Sequence, residues 1–270
     1  EHAGVRLKVD AKQPMAFVQP ADPKLTLEEQ RENFGLLGEL NRLAGEKYPT
    51  DPRLRARIKS YELAFQMQTA VPEVMNLTRE PKHVHTLYGA DQNDTKAFGE
   101  KCLAARRLVE RGVRFVQLFI DFQIWDNHNS LRTGLKGCCD KTDQPVAALL
   151  KDLKQRGLLD QTLVVWGGEF GRWPIAQLPG DKNAANAGRD HTKNAMSTWM
   201  TGGGTKGGVV HGATDDIGMS AVQDRVSIAD WHATILHCLG LDPVSYTHLR
   251  AHETPEPRVW RILREKKKGG

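Results

Sequence analysis

The sequence predicts an α/β fold: a mainly parallel sheet with helices on both faces, carrying a helical insertion at residues 24–88. Three observations lead there. Two apolar runs rich in β-branched and aromatic residues, Val113–Ile120 and Thr162–Trp166, have strand character. The segment between them carries Val146, Leu149, Leu150 and Leu153 at helical spacing. Strand, helix, strand is a βαβ unit, whose strands run parallel and end on one edge of the sheet. Each run also gives way at once to polar residues, and in open α/β sheets ligands sit beyond the carboxyl ends of the strands.

Taken in order, residues 5–20 look extended, with Val5, Leu7 and Val9 alternating and prolines at 14 and 20. Thr26-Leu27-Glu28-Glu29 has the pattern of a capping box, so a helix should follow with Phe34, Leu37 and Leu40 on one face. Asp51-Pro52 opens a second helix, striped by Leu54, Ile58, Tyr61 and Phe65 and broken by Pro72 and Pro81. The two form a helical hairpin whose stripe is core. Residues 99–111 read as a helix buried through Cys102, Ala105, Leu108 and Val109 and ended by Gly112. Asp143-Gln144-Pro145 starts the next helix, and Gly157 closes it. Residues 176–195 make a polar loop too long for a mere connector. Met196–Met200 reads as a strand, and Asp230 caps a last helix, Trp231–Leu239, stopped by Gly240.

Composition bounds the function. The apolar fraction is 39%, or about 48% once the 25 glycines are counted, which is ordinary for a folded domain. No run approaches the ~18–20 apolar residues of a membrane-spanning helix. Of the net charge of +5, residues 243–270 supply +4, from seven Lys and Arg against three Glu. The body is therefore nearly neutral and makes no electrostatic case for nucleic acid. Cys102, Cys138, Cys139 and Cys238 form no C-x-x-C pair and read as buried thiols. Gly202-Gly203-Gly204 lacks the Gly-Lys-Ser/Thr ending of a phosphate loop.

Three loops hold the chemistry: Asp126 and His128, Glu169 and Arg172, and Asp190 and His191. Carboxylates and neutral imidazoles are the usual ligands of Zn²⁺ and related ions. Any one of these residues could be an ordinary solvated loop side chain, and Glu169 and Arg172 a simple surface pair. Their joint position after strands on one edge favours a divalent-metal site made of Asp126, His128, Glu169 and His191, with Arg172, Arg189 and Asp190 close by. Asp121 is the alternative to Asp126. His211, His232 and His237 are weaker; the last two stand five apart rather than the four that puts two helical residues on one face.

Several segments together resemble a bacterial family known as domain of unknown function 1501: Tyr61-Glu62-Leu63-Ala64 with Met67-Gln68, the run Ala105–Val116, Trp125-Asp126-Asn127-His128, Asp152–Leu159, Gly168-Glu169-Phe170-Gly171-Arg172, Gly188-Arg189-Asp190-His191 and the triple glycine. The resemblance covers about residues 1–242. It implies a likeness to the sulfatase and alkaline phosphatase superfamily, whose members hold one or two divalent ions (Zn, Ca or Mg) and cleave phosphate or sulfate esters. It points to Glu169, His191, Asp126 and His128 as ligands and to a Ser or Thr nucleophile upstream of Glu1. It also implies a periplasmic or envelope location. Two departures stand out: Phe170 follows Glu169 where the superfamily often has Asp-His, and Trp173 stands where the family commonly has Thr.

The sequence reading is thus a partial sulfatase-like α/β domain over 1–242, with a non-native or disordered basic tail at 243–270. The expected substrate is an anionic ester, hydrolysed by the intact protein with Arg172 stabilising charge. The rival is a non-catalytic envelope module for binding or assembly. The oligomeric state is left open.

Overall fold

The computed structural model describes residues 5–9, 14–15, 24–47, 59, 67, 70–120, 122–168, 170–180 and 182–241. The chain divides into two compact units. One comprises Glu1–His85 with Leu103–Val116; the other comprises Thr86–Cys102 with Gln117–Gly270.

In the first unit, α1 (Leu27–Lys47) begins where its capping box requires. Thr26 N–H donates to the Glu29 carboxylate at 2.8 Å, and Glu29 N–H donates back to Thr26 Oγ1 at 3.2 Å. On the apolar face expected for this helix Phe34 is half-buried, while Leu37 and Leu40 are each more than half exposed. The stripe of the second predicted helix, Leu54 to Phe65, lies outside the described residues apart from Lys59; residues 70–75 are helical. A 3-10 turn, Leu77–Arg79, then leads into α2 (Lys82–Leu87).

The core of this unit is pinned by charge. In α3 (Lys96–Glu110) the Arg106 side chain is only 2% exposed, yet it meets Glu80 at 2.8 Å and Glu110 at 2.6 Å. Arg107 also reaches the Glu80 carboxylate and donates to the Val74 carbonyl. Burial alone would raise the pKa of Glu80, but hydrogen bonds from Arg106 and Arg107 outweigh it and hold the carboxyl below its ordinary value. Val71, Val74, Met75, Leu77, Leu103 and Leu108 pack as the buried apolar set.

In the second unit, α4 (Leu131–Gln155) starts well before Asp143, so Pro145 lies inside the helix, where it is fully buried. The sequence expectation put Pro at the first helical position, where its missing N–H costs least. Packing overrides that preference here, as tertiary contacts often override local propensity. The helix ends in a Schellman motif, with Gly157 N–H bonded to Lys154 O and Leu158 N–H to Leu153 O. Gly157 supplies the required left-handed backbone, φ 71°. Tyr88 is wholly buried and donates to Asp152 at 2.9 Å. Asp152 also receives Arg156 at 2.7 Å. The last helix, α5 (Ile228–Cys238), is capped by Ser227, with Asp230 completing the box at N3 rather than serving as the cap itself.

Among the described residues there is no parallel sheet, and the expected α/β class is corrected. Val113–Ile120 enters no ladder among the described residues; Phe115 and Phe119 stand 76% and 66% exposed. β1 (Val164–Trp166) pairs antiparallel with β4 (Trp199–Thr201), β2 (Gly171–Arg172) with β3 (His191–Thr192), and β5 (Ala213–Thr214) with β6 (Ala221–Gln223). These are three separate two-stranded pairs, so this is not an alkaline phosphatase-like fold. An apolar alternation favours an extended backbone, but a strand needs a partner that satisfies its N–H and C=O groups. Val113–Ile120 has the pattern without the ladder. Among the described residues no helix is long and apolar enough to cross a membrane.

Removing the Glu80 carboxylate leaves Arg106 charged and buried. Glu110 still meets it at 2.6 Å, so Glu80→Ala should cost about 1–3 kcal/mol, read as a lowered urea midpoint. Because the Glu80 pKa is depressed in the fold, its contribution is full above the unfolded carboxylate value and is lost as pH falls through the folded one. The parent should lose stability over that acidic range more steeply than Glu80→Gln does.

Candidate metal centre

Short backbone pairings assemble the site within the second unit. Arg172 and His191 are direct partners in the β2–β3 ladder, so their side chains start from adjacent positions. Beyond that ladder, Trp173 N–H donates to Asp190 O at 2.9 Å. Gln177 and Gly188 exchange both backbone hydrogen bonds, each 2.9 Å. Arg189 N–H then donates to Asn127 O at 3.0 Å, which ties the 188–191 segment to the 126–128 loop. Asn129 pairs with Ala187 in an isolated bridge. The 176–195 segment thus folds back and carries His191 to Asp126.

Gly188 permits this closeness. A Cβ there would lie 2.0 Å from the His128 carbonyl carbon and 2.4 Å from Asn129 N, both rigid backbone atoms. Gly171 is under the same constraint, because its Cβ would sit 1.5 Å from Ala195 O.

At the centre is Oδ1 of Asp126. Arg172 donates to it at 2.7 Å. Nε2 of His128 is 3.0 Å away and Nε2 of His191 is 3.2 Å away. The two imidazole ring centroids lie 5.0 Å apart with their planes tilted by 59°, and Phe170 sits edge-on to His191 at 5.8 Å. All four polar side chains are half-buried. The Arg172 hydrogen bond is the main force holding the Asp126 carboxyl below its usual pKa. Partial burial opposes this, and the Arg172 charge adds to it.

Arg172 is anchored on the other side too, through NH1 to Arg189 O at 3.1 Å and NH2 to Trp125 O at 3.4 Å. Arg189 sends its own guanidinium to Trp173 O at 2.9 Å, bracing the segment. Asp190 accepts His191 N–H at 2.8 Å and stands 3.8 Å from His128 Nδ1. Behind Asp126, Trp125 packs edge-on to Trp166, which stacks on its ladder partner Trp199.

Asp126, His128 and His191 each present one donor atom, all within 4.8 Å of one another, and could hold a metal ion. Glu169, expected as a fourth ligand, lies outside the described residues, as does Asp121. These loops meet through antiparallel pairing and the folded-back segment around Gly188, not through the expected βαβ unit. Gln177 was not foreseen. Its side-chain Oε1 lies 2.9 Å from His128 Nδ1, and a neutral amide in a polar loop carries no sequence signal for such a role. Cys102 and Cys138 are buried and Cys139 and Cys238 half-buried, all as free thiols; burial pushes the Cys102 pKa up to about 12.

Gly188→Ala should force the 188–191 and 126–129 segments apart, at a cost of about 1–3 kcal/mol. Thermal unfolding would read the loss. In NMR spectra the His128 and His191 ring signals should shift together.

The family model described as "Protein of unknown function (DUF1501)" matches residues 1–254, and the chain belongs to that family. The match extends past Asp242, where the sequence reading ended the domain. No curated protein and no solved structure matches the chain.

Proposed function

We propose that this chain carries a zinc-type divalent-metal site made by Asp126, His128 and His191, which serves the hydrolysis of an anionic phosphate or sulfate ester. The observation that carries the reading is the meeting of two imidazole nitrogens on one carboxylate oxygen at 3.0 and 3.2 Å. In a tetrahedral site with bonds of about 2.0–2.1 Å, neighbouring donor atoms stand about 3.3–3.4 Å apart. The separations here need only a small relaxation to match. Where Nε2 carries no proton, its lone pair and those of the carboxylate repel unless a cation lies between them. A mixed nitrogen and oxygen donor set suits Zn²⁺ better than Ca²⁺ or Mg²⁺, which prefer oxygen alone.

When bound, the ion supplies a Lewis acid toward the ester oxygen. The chain's own groups do the rest. Arg172 keeps Asp126 ionised and aims it, and its permanent charge beside the site favours an anionic substrate. Its NH1 and NH2 are engaged with Arg189 O, Trp125 O and Asp126, so we assign it as a positioning residue. The protein is assigned to the periplasm or envelope. The hydrolase reading rests on the site and not on a fold likeness.

Titration calorimetry with Zn²⁺ should give one ion per chain. His128→Ala and His191→Ala should each weaken binding by more than the about 10–100-fold typical for loss of an outer partner. Zinc uptake unchanged when both histidines are replaced would sink the metal reading.

Aryl phosphate or aryl sulfate should be hydrolysed above background only with Zn²⁺ bound. Turnover unchanged by a chelator would overturn the metal's part in it, and zinc binding without turnover would instead indicate a binding module.

A further inference from the structure

The two histidines of the site are not equally explained by what surrounds Asp126. A histidine can ligate through Nε2 only if that nitrogen carries no proton. In the neutral ring the proton must then reside on Nδ1, and something must hold it there. For His128 that partner is within reach: Gln177 Oε1 lies 2.9 Å from Nδ1, an ordinary hydrogen-bond distance. The competitor, Asp190 Oδ1, is 3.8 Å away, beyond hydrogen-bond range, and already accepts His191 N–H at 2.8 Å.

Gln177 is itself held firmly. Its N–H and C=O both bond Gly188, the glycine that lies against the His128 backbone. One backbone pairing therefore sets the distance from Gln177 to the ring it touches.

We propose that Gln177 is the positioning residue of His128: its side-chain carbonyl accepts the Nδ1 proton and turns the Nε2 lone pair toward Asp126 and His191. This rests on the zinc reading for its purpose but not for its geometry. An amide carbonyl fixes the tautomer without adding charge. A carboxylate in the same place would fix it as well and would make the ring a stronger donor.

Two measurements on the 270-residue chain test this. The first is the Nδ1–H of His128 in Zn²⁺-loaded protein, read from ring ¹⁵N–¹H spectra and its exchange with solvent. The parent and Gln177→Glu should show this proton protected, and Gln177→Leu should expose it or move ligation to Nδ1. The second is Zn²⁺ affinity, which Gln177→Leu should lower by about 10–100-fold and Gln177→Glu should preserve or raise. Thermal melts confirm that each variant is folded. A parent ring protonated on Nε2 would overturn the proposal. So would a Glu variant that binds zinc as poorly as the Leu variant, because the role would then be packing. If the parent binds no zinc, the metal reading falls and this proposal with it; zinc binding that Gln177→Leu leaves unchanged overturns this proposal alone.

Discussion

One oxygen atom, Oδ1 of Asp126, has three nitrogen atoms around it: Arg172 at 2.7 Å, His128 at 3.0 Å and His191 at 3.2 Å. That convergence is the constraint on which the second unit's functional face is built. The contacts come from three stretches of chain far apart in sequence, and none places its group unaided. Arg172 and His191 are adjacent because two-residue strands pair across them. His128 is adjacent because Arg189 bonds Asn127 and because Gly188 has no side chain to keep the 126–129 backbone away. The guanidinium supplies one fixed positive charge, which keeps the carboxylate ionised and available to a cation. The imidazoles supply neutral donors whose direction depends on where their protons sit.

This assembly uses little regular structure. The ladders are two or three residues long, and each forms its own pair rather than part of a larger sheet. Side-chain hydrogen bonds to backbone carbonyls, from Arg172 to Arg189 and Trp125 and from Arg189 to Trp173, do much of the holding. The Trp125–Trp166–Trp199 cluster adds apolar contact area behind the carboxylate. A site built this way depends on individual glycines and arginines more than on a rigid sheet edge. The first unit follows a related logic, in which a buried Arg106 is tolerated because Glu80 and Glu110 both meet it.

Local elements were legible in the sequence where the determining interaction is itself local. The capping box at Thr26, the helix stop at Gly157 and the strand character of residues 164–166 all depend on residues within a turn or two of each other. Legibility failed where a distant partner decides. The start of α4 and the interior place of Pro145 are set by burial, and the predicted strand Val113–Ile120 has no ladder, because neither outcome is written in a short window. The described residues form no parallel sheet for the same reason: periodicity reports which face of a segment is apolar but not what the segment pairs with.

For the site the division is similar. Residue chemistry by itself determined which side chains could ligate a cation, since carboxylate and imidazole donors are few and their loops recognisable. It also determined membership of the family, through motifs spread along the chain. Only the tertiary structure decided which donors share a centre, that antiparallel pairing brings them together, and that Gln177 is the group facing His128 Nδ1. The physical reason is that a donor's identity is a property of one residue. Its direction and its proton are properties of the neighbours that folding delivers.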